Sequence, residues 1–157
     1  MKALMIIDIQ NWVTNRNLYN KELFFETVNH CIEKAKKNAD LIIAVQHVNK
    51  QMPVDSDEWT IDSRINADEV DAYFTKTEGN AFSNKDLVAF LKEKCIEEIE
   101  VCGLVTHGCI RYSCIGGLKE GFAISLIKNG HTSWNKDAEK KTIETEAELE
   151  TLGVKII

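Results

Sequence analysis

Three side chains able to do acid–base or nucleophilic chemistry stand where apolar stretches give out. Asp8 follows "ALMII", Lys76 closes "DAYFTK", and Cys109 sits within "VCGLVTHGCIRYSC". A thiol at a helix N-terminus meets unsatisfied N–H groups and the positive end of the helix dipole, which can bring its pKa well below the ordinary ~8.5. A nearby Lys76 ammonium would lower it further, and Asp8 could accept the thiol proton as a general base. Amides at that helix start, including that of Cys109 itself, could donate to a developing oxyanion. Nucleophile, base, cation and oxyanion hole together describe acyl transfer. Taken singly, each residue also has an ordinary reading. A cysteine after a strand is commonly packing, an aspartate at a strand end a turn or cap, and a lysine there a solvated charge. The chemistry therefore requires that positions far apart in the chain meet.

The pattern of apolar residues supplies a frame in which they would. Runs at 3–9, 41–48, 71–76, 98–104, 122–129 and 154–157 read as strands, the first being the continuous apolar kind buried in a parallel sheet. Helical spacing covers 21–39, 84–95, 109–121 and 136–153. Lys34, Lys36 and Lys37 suit the C-terminal end of the first of these helices. Residues 49–71 form a long polar loop with room for a short helix, and loops of that length tend to be functional. Gly116 and Gly117 cost the third helix roughly 1 kcal/mol each against alanine, which implies an element packed close on that face. This alternation predicts one α/β domain over residues 1–157, a doubly wound, mainly parallel sheet flanked by helices. With the strand order 3-2-1-4-5-6, strands 1 and 4 are neighbours at the switch point. Asp8, Lys76 and Cys109 then share the carboxyl edge, where such sheets bind ligands.

Composition narrows the function classes. The 157 residues carry a net charge of −6 and no basic cluster, which argues against nucleic acid as a partner. The opening apolar run stops at Asp8, too short for a signal peptide or a membrane span. Five cysteines, an odd number, read as reduced thiols of a cytoplasmic protein, and without a CxxC pair neither structural zinc nor a redox dithiol is expected. Cys31, Cys102 and Cys114 read as packing.

Four segments in order along the chain resemble the isochorismatase-like cysteine hydrolases. "LMIIDIQN" (4–11) is similar to the family's first motif, "TKTEGNAFSNKDL" (75–87) to its second, "VCGLVTHGCI" (101–110) to its third, and "IKNGHTSW" (127–134) to a later one. The resemblance implies that Asp8 is general base and later acid, that Lys76 orients Asp8 and the substrate, and that Cys109 is the nucleophile. It also implies a cis Leu104–Val105 peptide, with the Val105 and Cys109 N–H groups forming the oxyanion hole. The implied reaction is hydrolysis of a small amide or related C–N bond through a thioester, on the family's isochorismatase-like three-layer sandwich. Nicotinamidases of the family hold a metal through an Asp-x-His segment and a further histidine. Here "QHVNKQMPVDSDEW" (46–59) offers His47 alone, so neither metal nor cofactor is expected. Members resembling isochorismatase itself lack the nucleophilic cysteine, so Cys109 argues against vinyl-ether hydrolysis. Asn129 departs from the usual aspartate of the last segment.

Trp12, Trp59 and Phe82 flank these motifs and could wall an apolar substrate pocket or equally serve as core or interface aromatics, while His107, two residues before Cys109, could line that pocket or simply occupy a loop bend. Trp134 reads rather as a core or interface aromatic, and His30 and His131 as surface or capping groups. The family resemblance also implies a homo-oligomer. The competing readings are a non-catalytic binding relative on the same scaffold and, more distantly, a redox or metal-storage role for the cysteines.

Overall fold

The computed structural model describes residues 1–157. Six parallel strands form one sheet, as the alternation of apolar runs predicts, in the order assumed for them, β3-β2-β1-β4-β5-β6. They are β1 (Lys2–Ile7), β2 (Leu41–His47), β3 (Ala72–Lys76), β4 (Glu98–Leu104), β5 (Ala123–Thr132) and β6 (Lys155–Ile156). The helices are α1 (Asn11–Thr14), α2 (Lys21–Asn38), α3 (Lys85–Glu93), α4 (Arg111–Lys119) and α5 (Ala138–Thr151). The long loop contains only a short 3-10 turn at Ala67–Glu69.

Alternation along β1 explains the three layers, because successive side chains of a strand point to opposite faces. Ala3, Met5 and Ile7 join Leu87, Leu91, Cys114 and Leu149 on the face covered by α3, α4 and α5. Leu4 and Ile6 join Phe24, Val28, Ile32 and Cys102 on the face covered by α2. Both faces of the central strands are therefore buried, which is why they read as unbroken apolar runs. Cys102 and Cys114 are packing thiols, all five cysteines are unpaired, and Cys31 lies part-buried against the α2 core. No helix is long and apolar enough to cross a membrane.

Two sequence irregularities have structural causes. A Cβ on Gly117 would stand 2.5 Å from Ile124 and 3.0 Å from Phe82, so α4 lies directly on β5 and on the turn Ala81–Ser83. This close approach is what the helical glycines imply. Between Val101 and Gly103 the β4–β5 register shifts: Val101 pairs with Leu126 but Gly103 with His131. The extra residues of β5 form a bulge in which Asn129 takes a left-handed φ of 62°. Asparagine tolerates that region far better than most residues. The bulge lets β5 run on to Thr132, beyond the expected end at residue 129.

Candidate active site

β1 ends at Ile7, and Asp8 then adopts a left-handed φ of 56°, turning its side chain out of the strand's alternation at the carboxyl edge. β3 ends at Lys76, whose side chain is fully buried. β4 ends at Leu104 and passes through a cis Leu104–Val105 peptide into the turn Thr106–Ile110. Gly108, at φ −110° and ψ −114°, breaks the turn, so that Cys109 opens the helical segment leading into α4. The helix proper begins at Arg111, two residues later than its spacing suggests.

The three residues meet around the Lys76 ammonium. Nζ lies 3.0 Å from Asp8 Oδ2 and 3.2 Å from Cys109 Sγ. It also lies 2.8 Å from His47 Nδ1 and 3.1 Å from the Glu78 carbonyl. Four acceptors thus crowd a group with three N–H bonds. Asp8 Oδ1 is buried and takes no hydrogen bond, which leaves a carboxylate lone pair unengaged beside the thiol. The Val105 N–H donates to no backbone or side-chain acceptor.

The state of Cys109 differs from the expectation. Burial pushes its thiol up to about 12, and the Asp8 carboxylate adds to the rise, while Lys76 opposes both. The position at a helix start suggested a depressed pKa, but desolvation of a thiolate outweighs one ammonium already engaged by a carboxylate. Burial thus favours the protonated thiol, whose proton a nucleophilic step has to remove.

A cavity of about 170 Å³ opens beside this cluster, lined by Asp8, Trp12, His47, Met52, Cys109 and Trp134 among others. Trp12 is one of its wall residues. Trp134, expected in a core or interface, instead forms part of the wall, with Arg16 stacked at 4.0 Å from the Trp12 ring and 5.0 Å from that of Trp134. Three expected wall residues lie elsewhere. Phe82 is buried beneath α4 against Phe122, because its turn packs into the core. Trp59 packs on the α2 side, and its carbonyl accepts hydrogen bonds from Gln10 and Gln46. His107 turns away to Asn135 and lines a separate shallow cleft with Arg111 and Lys141. A larger cleft, of about 610 Å³, lies at the opposite edge of the sheet around Leu41 and Ala72, with no cysteine, serine or histidine in its lining.

Two residues without a predicted role hold the site. The buried Gln10 side chain accepts from the His47 N–H at 2.8 Å and donates to the His47 carbonyl at 2.9 Å, fixing the end of β2 against the chain after β1. Its position in the "DIQ" segment was the available signal. His131, expected on the surface, is buried between Thr106 Oγ1 at 2.8 Å and Glu146 Oε1 at 3.0 Å. The β5 bulge carries it there. It ties the turn bearing Cys109 to α5, and its hydrogen bond holds the Glu146 carboxyl below the ordinary 4.5. That pairing contributes stability present above the unfolded pKa and lost as pH falls through the lower folded value. His131→Leu leaves Thr106 and Glu146 without partners and should destabilise the protein by about 2–3 kcal/mol at pH 7. The deficit should shrink below pH 4, as read from urea midpoints across pH.

Asp8, His47 and Cys109 are the one cluster of three potential metal ligands, their ligand atoms lying within 4.8 Å of one another. Lys76 Nζ stands in contact with all three, so these residues do not fit a metal: an ammonium fills the place a cation would take.

Residues 2–152 match the Isochorismatase domain family. An uncharacterised isochorismatase family protein of Bacillus subtilis strain 168 is 23% identical over 152 residues, covering 92% of this chain and 84% of its own. Among solved structures, an isochorismatase family protein superposes with a TM-score of 0.93 at 22% identity, covering 99% of this chain and 97% of the other. The nicotinamidase of Bacillus subtilis gives a TM-score of 0.83 at 19% identity, with 99% and 98% covered. The pyrazinamidase of Pyrococcus horikoshii, solved in complex with zinc, gives 0.82 at 19%, again with 99% and 98% covered.

Proposed function

The chain belongs to the isochorismatase domain family, and from that premise we propose that it is a cysteine hydrolase cleaving a small amide or related C–N bond through a thioester on Cys109. The observation that carries the reading is the meeting of Asp8, Lys76 and Cys109, from three separate strand ends, around one buried ammonium. The amidase names of two fold neighbours support a C–N bond as the target.

Asp8 takes the Cys109 proton as Sγ attacks the amide carbonyl, so the C–S bond forms while the carbonyl π electrons move to oxygen. The N–H groups of Val105 and Cys109 hold the resulting oxyanion. Its collapse breaks the C–N bond, and Asp8 returns the proton to the departing nitrogen, releasing ammonia or an amine. Water then gives a proton to Asp8 and its oxygen to the thioester carbonyl. Breakdown of that adduct frees the acid, and the thiol regains its proton. Lys76 keeps the Asp8 carboxylate oriented through this cycle, as a base must be held within hydrogen-bond reach of the proton it moves.

The reading is tested by acid-quenching the enzyme during turnover of a panel of small amides and weighing the intact chain. An acyl group on Cys109, formed and lost at rates matching turnover, is the expected result. Hydrolysis with no adduct, and with Cys109 alkylation leaving it undiminished, would remove the thioester from the mechanism. Self-association, which the family resemblance implies, belongs to the same reading and is checked by sedimentation.

A further inference from the structure

We propose that His47 is a substrate-recognition residue, presenting a fixed Nε2–H donor to an acceptor atom of an uncharged, flat amide lying in the Trp12–Trp134 cavity. The inference rests on the amidase reading above for the identity of the scissile group, but its own basis is a tautomer.

An ammonium has donors and no acceptor. Lys76 Nζ at 2.8 Å therefore makes His47 Nδ1 the acceptor of that contact. The ring proton must then sit on Nε2, the opposite nitrogen. Neighbouring groups reinforce this state: burial and the Lys76 charge both lower the imidazole's pKa, against a smaller upward pull from Asp8. Nε2 has no hydrogen-bond partner in the protein and is not among the buried unpartnered atoms, while His47 lines the cavity beside Cys109. The backbone of His47 is clamped on both sides by Gln10, so the ring's base cannot drift. A polar group whose protonation and position are both set, facing an otherwise mostly apolar small cavity, is what gives a binding site its orientation preference.

The complementary ligand follows from these groups. The small volume and the indoles of Trp12 and Trp134 favour a flat body, and Cys109 marks where the carbonyl carbon must come. An acceptor (a ring nitrogen or a second carbonyl oxygen) on the side of His47 would take the Nε2–H. An analogue lacking that atom leaves the donor unpaired in a desolvated pocket, which costs affinity.

Two measurements test the assignment, neither of which needs turnover. Long-range ¹H–¹⁵N NMR of the full chain should show His47 neutral and protonated at Nε2 at pH 7. An Nδ1–H tautomer or an imidazolium would overturn the proposal. Calorimetry on the Cys109→Ala chain should then rank the pyridine carboxamides against benzamide. At least one isomer should bind about tenfold more tightly than benzamide, with that margin lost in His47→Phe and partly kept in His47→Gln, which retains an N–H donor. Equal binding of all members, a margin that survives His47→Phe, or no binding by any of them would overturn it. A failed thioester test with this margin intact would reject the hydrolase mechanism and leave His47 as a recognition residue.

Discussion

Cys109→Ala is expected to lower amide turnover by at least about 10³-fold while leaving the urea midpoint of unfolding nearly unchanged. The residue is only part-buried and touches the edge of the core, so its sulfur contributes less to packing than to the cavity. Cys109→Ser should be almost as inactive. A hydroxyl is harder to deprotonate than a thiol, and Asp8 offers only a carboxylate to do it. Ammonia release by a coupled assay, measured beside stability, separates loss of chemistry from loss of fold. Full activity in either variant would mean that the nucleophile is another group, and the non-catalytic use of this scaffold would have to be reconsidered if the parent itself released none.

Asp8→Asn carries the second large effect, with opposite signs in two measurements. Turnover should fall by about 10²–10⁴-fold, because an amide cannot accept the thiol proton or return it to the leaving nitrogen. Alkylation of Cys109 at a fixed pH should meanwhile become faster. Desolvation and then the Asp8 charge raise the Cys109 pKa to about 12, and Lys76 is the group that lowers it. Removing the carboxylate leaves burial and Lys76, so the midpoint of the alkylation profile should move down. Because burial raises the Cys109 pKa in the parent, iodoacetamide should react slowly with it at pH 8. Lys76→Met should move the midpoint the other way, provided that Asp8 stays charged. An Asp8→Asn chain that alkylates more slowly than the parent would show that Asp8 activates the thiol at rest rather than during attack.

The same site shows where sequence reasoning reaches and where it stops. Asp8, Lys76 and Cys109 are legible because each closes or follows an apolar run, and the carboxyl edge of a parallel sheet gathers such ends. Gly116 and Gly117 announce a close packing partner through their cost in a helix, though not that the partners are Asn80, Phe82 and Ile124. The sequence leaves Phe82 open between pocket and core, because an apolar residue beside a motif looks the same whether its turn faces a cavity or the interior. His131 reads as a turn residue because the apolar run ends at residue 129, whereas the bulge carries β5 on to Thr132 and buries the imidazole. A period-two pattern carries no information once the register shifts.

Beyond a strand order that had to be assumed, what the sequence by itself determined is the set of elements and the three reactive residues at which apolar runs give out. These follow from local periodicity and the connection rules of α/β folds, both properties of neighbouring residues. The tertiary structure alone decided the desolvation of Cys109, the contact of His47 with Lys76, the burial of His131 and the membership of the cavity wall. Those depend on how much water each group loses and which charges it meets, and both are set by residues brought together from distant parts of the chain.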